Sequence, residues 1–485
     1  MKNILPLVFY SIFLLVLIGL YPLSIGMHYS ETMLLGTFMI ALASIVVFIA
    51  VKEKDLNLAK QYFKPSYLFL LAFSVGFFQM YIDLLLGNIT ENEQYIFIQP
   101  NLINQGAILS TAGLITFLFG YYCYRRKNKN NKVYDKQPIP MTPMRVFFIL
   151  VALLYFATNL EALLSGGYSQ AMLEARAGTL EGYAEILFMV TLTAFLTIAC
   201  VNLQLLGEKS FKEYVKYLGI PFHLIIFTFC FLLIFLGDRG PIIIVGLSYI
   251  AAFIMLSKKK IGLKLVILGI VAGGSFLTIV ATTRALDDNT PWHINVSEAT
   301  QQFRAGETRC FQSISEPTAE LGIVSVRTFH LSLRHINDGG ELMYGSFQGR
   351  QLLNLIPFSQ RLYAPFVDSH FRYRSSAFYI TWLAQGEFYS YGSGTSVLAD
   401  LLLSFGILGV FIGMFLLGMF FRWVDLLACS FSIDKIRYLD VIIVIVVCSL
   451  SISWARATYL HVLMHIFFAY LLVMLYRIAV TKKLN

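Results

Sequence analysis

The sequence lacks the charge, the paired cysteines and the nucleotide motifs that mark many soluble enzymes. Only 13% of its 485 residues are charged, about half the share of a soluble domain. Of six cysteines only Cys310 falls in a predicted outer loop, so no disulfide framework is expected. No Walker motif, dinucleotide fingerprint, nucleophile elbow or HExxH occurs. Nucleotide, NAD and zinc-protease chemistry therefore lack support, and we expect no cofactor or metal.

Apolar residues dominate the chain instead. They make up 57% of it, and the mean hydropathy is +0.69. Runs long enough to cross a hydrocarbon core of about 30 Å recur from one end to the other, and their length indicates helices rather than barrel strands. We predict an all-α polytopic membrane protein with about twelve spans, near residues 4–22, 33–51, 67–86, 104–124, 145–164, 184–206, 218–236, 241–256, 262–283, 395–421, 439–454 and 458–477.

Alternate connections between these spans are rich in lysine and arginine. By the positive-inside rule they face the cytoplasm, together with both termini. The net charge of +9 is therefore a topological signal, and we expect no nucleic-acid partner. One large outer segment divides the chain into spans 1 to 9 in residues 1–284, a helical periplasmic segment at 285–393, and spans 10 to 12 in residues 394–485.

Basic residues on the predicted outer side are all arginines. There are twelve of them and no lysine: Arg176, Arg239, Arg284, Arg304, Arg309, Arg327, Arg334, Arg350, Arg361, Arg372, Arg374 and Arg456. Arginine carries a planar fork that grips carboxylate or phosphate with two hydrogen bonds. Two explanations remain open, namely retention of lysine inside by insertion bias, and an outer surface built to bind anions.

The motif GDRG, between two apolar runs, places Asp238 and Arg239 at the outer end of a helical hairpin. The next span, from Pro241 to Leu256, reads as short, which predicts a turn recessed below the membrane surface; an ordinary tight turn with a snorkelling arginine is the alternative. Arg284 ends the ninth predicted span, and Arg176 lies in a short loop between two other spans. Both are on the same predicted outer side as Arg239. These arginines, with Arg456 added, would suit a diphosphate.

Two helices that carry basic residues are also predicted in the outer segment. In SEPTAELGIVSVRTFHLSLRHINDGG, the residues Arg327, His330 and Arg334 share one helical face, which is either a binding face or a solvated polar one. A second helix, from about Ser346 to Leu355, presents Arg350. An aromatic-rich stretch follows, with Arg361, Arg372 and Arg374 interleaved. Aromatic faces beside charged groups suit sugar rings and equally suit an interface belt.

Two carboxylates stand out near the tenth span. Glu387 lies in AQGEFYSYGSGTS, and Asp400 lies about one turn inside the span, where an acid is costly and usually functional. The turn GSGTS could expose amides to an anion at the helix N-terminus, or Ser393 or Thr395 could simply cap that helix. Either carboxylate, or Asp238, is a candidate catalytic base.

With these features the chain resembles the O-antigen polysaccharide polymerases of the Wzy type. The resemblance rests on the number of spans, the GDRG turn, the outer segment with YGSFQGRQLLNLIP, and GSGTSVLADLLLSFGILGVF opening the next span. The histidine common near this last segment in related ligases is absent.

The resemblance implies a GT-C-like glycosyltransferase of the bacterial inner membrane. It would transfer a growing glycan from undecaprenyl diphosphate to the hydroxyl of an incoming lipid-linked repeat unit, in contact with membrane lipid and with a chain-length regulator protein as a further partner. Arg239, Arg284 and Arg176 would hold the diphosphate, and Arg327, Arg334, Arg350, Arg372 and Arg374 would line the glycan path. A flippase for lipid-linked sugars and a ligase remain the alternatives.

Overall fold

The computed structural model describes most of the chain, with gaps between the described stretches. The described residues are 4–51, 62–124, 138–164, 180–206, 210–235, 239–257, 262, 264–269, 271–274, 319–356, 370–389, 392–429 and 437–481. Arg176, Asp238, Arg284 and Arg361 lie outside them.

All regular secondary structure in the described residues is helical. The helices are α1 (Ile4–Ser24), α2 (Glu31–Ala50), α3 (Pro65–Leu85), α4 (Gln94–Phe97), α5 (Ile103–Cys123), α6 (Thr142–Leu164), α7 (Leu180–Leu205), α8 (Phe211–Leu218), α9 (Ile220–Phe235), α10 (Arg239–Ser257), α11 (Ala319–Asn337), α12 (Ser346–Leu353), α13 (Ser376–Gln385), α14 (Val397–Cys429), α15 (Tyr438–Trp454) and α16 (Leu463–Thr481). Two 3₁₀ turns, Pro100–Leu102 and Phe371–Arg374, precede α5 and α13.

Nine predicted spans correspond to helices that are long and apolar enough to cross a membrane. A tenth crosses only if the bent pair α8 and α9, which meet at 88°, is counted as one span. Of the remaining two, α15 has 17 residues, and only short helical stretches at 264–269 and 271–274 are described for the other. The protein is therefore an all-helical multi-span membrane protein with nine or ten candidate spans among its described residues.

The helix after the GDRG motif is longer than predicted. It begins at Arg239 and runs for 19 residues to Ser257, so Pro241 sits in its first turn, where proline is tolerated. The expected short span is therefore not observed, because the helix includes the arginine, and the recessed turn stays a prediction.

Helices α5 and α14 form the closely packed centre of the bundle. Glycines bring their backbones together: a Cβ on Gly120 would overlap the carbonyl oxygen of Phe415, and one on Gly418 would overlap that of Phe117. Helices α1 and α2 pack on one side of α5, and α15 packs between α3, α7 and α10. Nearly all of α5 is buried, since it is surrounded by other helices.

A kink in α14 lies where the segment that leads into α12 packs against the bundle. Gly406 has φ +65°, a left-handed conformation that glycine adopts readily. Near this break the carbonyl oxygen of Leu403 accepts a hydrogen bond of 2.9 Å from the backbone N–H of Met343. The chain then turns at Gly345 into α12, so this helix is held beside the N-terminal part of α14.

Candidate active site

The first turn of α14 carries the buried carboxylate of Asp400. Its helix is capped by Ser396, whose hydroxyl accepts from the N–H of Ala399 at 3.3 Å, so the predicted caps Ser393 and Thr395 are wrong. As predicted, Asp400 lies one turn inside the span, and its exposure is 0%. A carboxylate at such a position needs internal donors.

Donors from two other elements meet this carboxylate. Its Oδ2 accepts from Gln348 Nε2 at 2.8 Å and from the backbone N–H of Tyr459 at 2.9 Å. Gln348 belongs to α12, and Tyr459 to the loop between α15 and α16. In the same place Gln351 Oε1 accepts from the N–H of Leu460 at 3.2 Å. Asp400 therefore joins α12 and the 455–462 loop to the start of α14.

Buried polar groups beside Asp400 keep unused hydrogen-bonding capacity. Gln348 Oε1 and Gln351 Nε2 are buried atoms with no hydrogen-bond partner among the described residues. The hydroxyl of Ser376, on the first turn of α13, is likewise buried with no hydrogen-bond partner among the described residues. Because buried polar atoms are normally satisfied, this concentration suits a ligand rich in hydroxyl groups.

A second group of side chains lies on the neighbouring surface, and we call it the arginine–aromatic cluster: Arg350, His370, Arg372, Tyr373, Trp382 and Glu387. The guanidinium of Arg372 lies 4.4 Å from the ring centre of Trp382 and 4.6 Å from that of Tyr373. Arg350 donates to the carbonyl oxygen of Tyr373. Two arginines predicted to line a glycan path are thus brought together with aromatic rings.

Glu387 is the carboxylate of this cluster, and solvent reaches it. Its side chain is 57% exposed, and it accepts from His370 Nε2 at 2.8 Å and from Trp382 Nε1 at 3.2 Å. The hydrogen bond with His370 lowers the pKa of Glu387 below its usual range. The group is therefore an ionised, accessible and oriented carboxylate, in contrast to the enclosed Asp400.

The helical face of Arg327, His330 and Arg334 is divided between core and surface. His330 has 0% exposure, with Nε2 2.8 Å from the hydroxyl of Tyr81 and Nδ1 2.8 Å from the carbonyl oxygen of Phe97. His330 is therefore not part of an exposed binding face, because packing against α3, α4 and α5 encloses it. Arg327 donates to the carbonyl oxygen of Tyr95 at 2.7 Å and stacks on that ring, and Arg334 is partly exposed.

The other predicted site residues are dispersed or outside the described ranges. Arg374 lies 5.8 Å from the ring centre of Phe378 at the edge of the cluster. Arg456 lies in the loop that contacts Asp400, and Arg239 begins α10. Because Arg176, Asp238 and Arg284 are not described, their predicted convergence on Arg239 stays a prediction.

Sequence reasoning missed four contributors to the site: His370, Trp382, Gln348 and Tyr459. The first two had a usable signal, since a histidine two residues before Arg372 and a tryptophan five before Glu387 mark a polar and aromatic surface. Gln348 had no such signal, because a single glutamine on a short helix is common and does not indicate a site. Tyr459 acts through its backbone N–H, which no residue type reveals.

Comparison with known proteins yields one match. The family model for O-antigen polysaccharide polymerase Wzy matches residues 7–485, nearly the whole chain. No curated protein and no solved structure matches it.

Proposed function

Because the chain belongs to the O-antigen polysaccharide polymerase Wzy family and polymerises O-antigen repeat units, we propose that it does so where α12, α13 and the start of α14 meet. The observation that carries this assignment is the arginine–aromatic cluster beside the buried Asp400, with an accessible carboxylate, a stacked arginine and spare polar groups in one place. Aromatic and polar surfaces of this kind suit sugar rings.

The family acts on lipid-linked repeat units. We assign undecaprenyl diphosphate as the carrier of the donor glycan. The acceptor hydroxyl oxygen forms a bond to the anomeric carbon, the bond from that carbon to the diphosphate oxygen breaks, and its electron pair leaves on the diphosphate. The acceptor proton passes to a base. We assign the reaction to the outer face of the inner membrane and both termini to the cytoplasm, because the positive-inside rule supports this orientation. A chain-length regulator is assigned as a further partner.

Of the candidate carboxylates, Glu387 is assigned as the base. It is ionised and open to solvent, and His370 and Trp382 orient it, whereas Asp400 is enclosed. Asp400 is assigned a positioning role, because it joins α12 and the 455–462 loop to α14. The undescribed Asp238 is the remaining candidate.

The arginines divide into two groups. Arg239, with Arg284 and Arg176, is assigned to the leaving diphosphate, where fixed cations stabilise developing charge. Arg456 is assigned to the same diphosphate group. The glycan path is assigned to Arg327, Arg334, Arg350, Arg372 and Arg374. His330 is left out of that path because it is buried.

The assignment of Glu387 is tested with Glu387→Gln, which keeps an acceptor for Trp382 and removes the charge. The variant is expressed in cells lacking their own copy of the gene, and surface glycan lengths are compared by gel electrophoresis. Loss of a positioned base lowers the rate by about 10²-fold or more, so single-repeat chains should replace the long ladder. Glu31→Gln, an exposed carboxylate on α2, is the control and should leave the ladder unchanged. A normal ladder from Glu387→Gln at equal protein level would refute the assignment.

The assignment of Arg239 is tested with Arg239→Lys, which keeps the charge and loses the planar fork. We expect shortened chains, because a lysine holds a diphosphate as a point charge only. Arg477→Lys, near the far end of α16, is the matched control. If both variants make full-length polymer, Arg239 does not hold the diphosphate.

A further inference from the structure

Residues 342–356, which include α12, contact α14 within the part of that helix that crosses the membrane. Residues 401–421 of α14 carry no charged side chain. At 1.5 Å per residue this run is about 30 Å long, which is the thickness of a hydrocarbon core. The contacts with residues 342–356 fall at Leu403, Phe405 and Gly406, near the N-terminal end of the run. Residues 342–356 therefore lie at the depth where the hydrocarbon begins.

The backbone of these residues has protein partners at that depth. Backbone groups in a membrane need such partners, because lipid supplies no hydrogen bonds. Near the kink at Gly406, the carbonyl oxygen of Leu403 accepts from the N–H of Met343 at 2.9 Å. A Cβ on Gly345 would lie 2.8 Å from the ring of Phe405, so the turn into α12 is packed against this side chain. The start of α12 is thus fixed to the membrane-crossing part of α14.

Helix α12 has one enclosed face and one exposed apolar face. Phe347 and Gln348 are buried on the side of the candidate active site. Leu352 and Leu353, at the end of the helix, are 49% and 41% exposed, and Ile356 in the following turn is 57% exposed. These three residues are neighbours on one helical face, because Ile356 follows the two leucines by four and three positions. An apolar face therefore stays uncovered at the depth of the hydrocarbon boundary.

This face continues an exposed apolar stripe on α14. The stripe consists of Phe405, Leu408, Ile412 and Leu416. Its members are three or four residues apart, so they share one helical face, and exposed apolar side chains within a membrane span contact lipid. Phe405 begins the stripe and is the residue against which Gly345 packs. The exposed face of α12 is therefore continuous with the lipid-facing surface of the bundle.

Tyr344 lies at the junction between the two surfaces. Its side chain is 80% exposed, and its φ of +44° is an unfavourable backbone conformation for a residue with a Cβ. Tyrosine is enriched at the boundary between membrane and water, where its ring meets lipid and its hydroxyl meets water. The ring of Tyr344 thus marks the level of that boundary on this side of the bundle.

We propose that residues 342–356 lie in the membrane interface, with Tyr344, Leu352, Leu353 and Ile356 in contact with the acyl chains of bilayer lipids. Interfacial helices bury an apolar face about 5–10 Å into the boundary between headgroups and acyl chains. By the positive-inside rule this boundary belongs to the outer leaflet. The placement does not depend on the roles assigned to Glu387 and Arg239. It holds the enclosed face of α12 level with the lipid headgroups, from which the sugars of a lipid-linked repeat unit project.

Photo-crosslinking from the exposed face identifies what covers it. The full-length protein carries p-benzoylphenylalanine in place of Leu353, or of Leu352 in a second variant, and is reconstituted in vesicles of phosphatidylethanolamine and phosphatidylglycerol. Phospholipid adducts are counted by mass spectrometry after irradiation. We expect yields within roughly threefold of that from Ile412 in the lipid-facing stripe. Asn92, an exposed polar residue between α3 and α4, is the control and should give a yield roughly tenfold lower.

Three results of this measurement would overturn the proposal. The first is a lipid yield from Leu352 and Leu353 as low as that from Asn92. The second is crosslinking to another copy of the chain in place of lipid, which would show an interface between copies. The third is crosslinking to another part of the same chain, which would show that the protein itself covers this face.

A photoactivatable phospholipid tests the same placement on the wild type, without any substitution. Its diazirine lies near the start of one acyl chain, and the labelled peptides are identified after irradiation in vesicles. Peptides from residues 342–356 should be labelled, together with those from the lipid-facing stripe, and peptides from residues 86–93 should not. Labelling of the stripe without labelling of residues 342–356 would refute the interfacial placement of α12.

Discussion

His330 shows how the role of one residue depends on its surroundings. Its ring contacts the Tyr81 hydroxyl and the Phe97 carbonyl, and a Cβ on Gly106 would overlap it, so glycine at that position leaves room for the imidazole. Burial lowers the pKa of His330 to about 4. The ring is therefore a neutral part of the interior at ordinary pH, and it holds α11 against α3.

We predict that His330 makes the folded state sensitive to acid. In the unfolded chain a histidine binds a proton below about pH 6.5, whereas the folded protein resists protonation down to about pH 4. The stability is fully present above pH 6.5 and is lost as the pH falls toward 4, by roughly 3 kcal/mol. We measure the midpoint of thermal unfolding in detergent at pH 7.5 and at pH 4.5. The difference between the two midpoints should be larger for the wild type than for His330→Gln.

His370→Gln, a change at a partly exposed histidine of the arginine–aromatic cluster, is the control for this measurement. It should show the acid sensitivity of the wild type. Parallel losses in the wild type and in His330→Gln would contradict the prediction.

At the scale of elements, the contact between α5 and α14 determines where the site lies. The N-terminal part of α14 carries Asp400 and accepts the hydrogen bond from Met343, while its C-terminal part packs on α5 through Gly418 and Gly120. A close backbone approach of this kind is typical of small residues between membrane helices. The helix pair thus fixes where Asp400 lies relative to α5.

We predict that Gly418→Ala destabilises the protein. The added methyl group would overlap the carbonyl oxygen of Phe117, and separating two packed helices costs about 1–3 kcal/mol. Gly36→Ala in α2 is the control, because no atom lies within 4 Å of its added Cβ and alanine favours a helix. The midpoint of thermal unfolding in detergent should fall for Gly418→Ala and stay level or rise for Gly36→Ala. An unchanged midpoint for Gly418→Ala would show that α5 and α14 are not closely packed.

For the whole molecule, the distribution of charge predicts which end faces the periplasm. Phe388, beside Glu387, is 98% exposed, and Lys212 on α8 is exposed at the other predicted side. Cysteines placed at these two positions report the orientation, because a charged maleimide does not cross the membrane.

In intact spheroplasts we expect Phe388→Cys to react with a membrane-impermeant maleimide and Lys212→Cys to react only after the membrane is opened. Labelling of the parental chain, which has six native cysteines, is subtracted as background. The reverse pattern would invert the topology, and the proposed outer site would then face the cytoplasm.

The sequence by itself determined the class of the molecule and most of its helices. Apolar run length and lysine placement are properties of single segments, so they predict spans and an orientation without knowledge of contacts. The same reasoning placed Asp400 one turn inside its helix and identified Ser346 as the start of α12. It failed at the bend between α8 and α9 and at the start of α10, where boundaries depend on local geometry.

Only the tertiary structure decided which candidates share a site. It separated the exposed Glu387 from the enclosed Asp400, although both are acids near the same helix. It joined Arg350 to Tyr373 and Asp400 to Tyr459, and it enclosed Lys64 in a cavity with residues of three other spans. These relations depend on contacts between segments far apart in the chain, and residue type and spacing within one segment do not encode them.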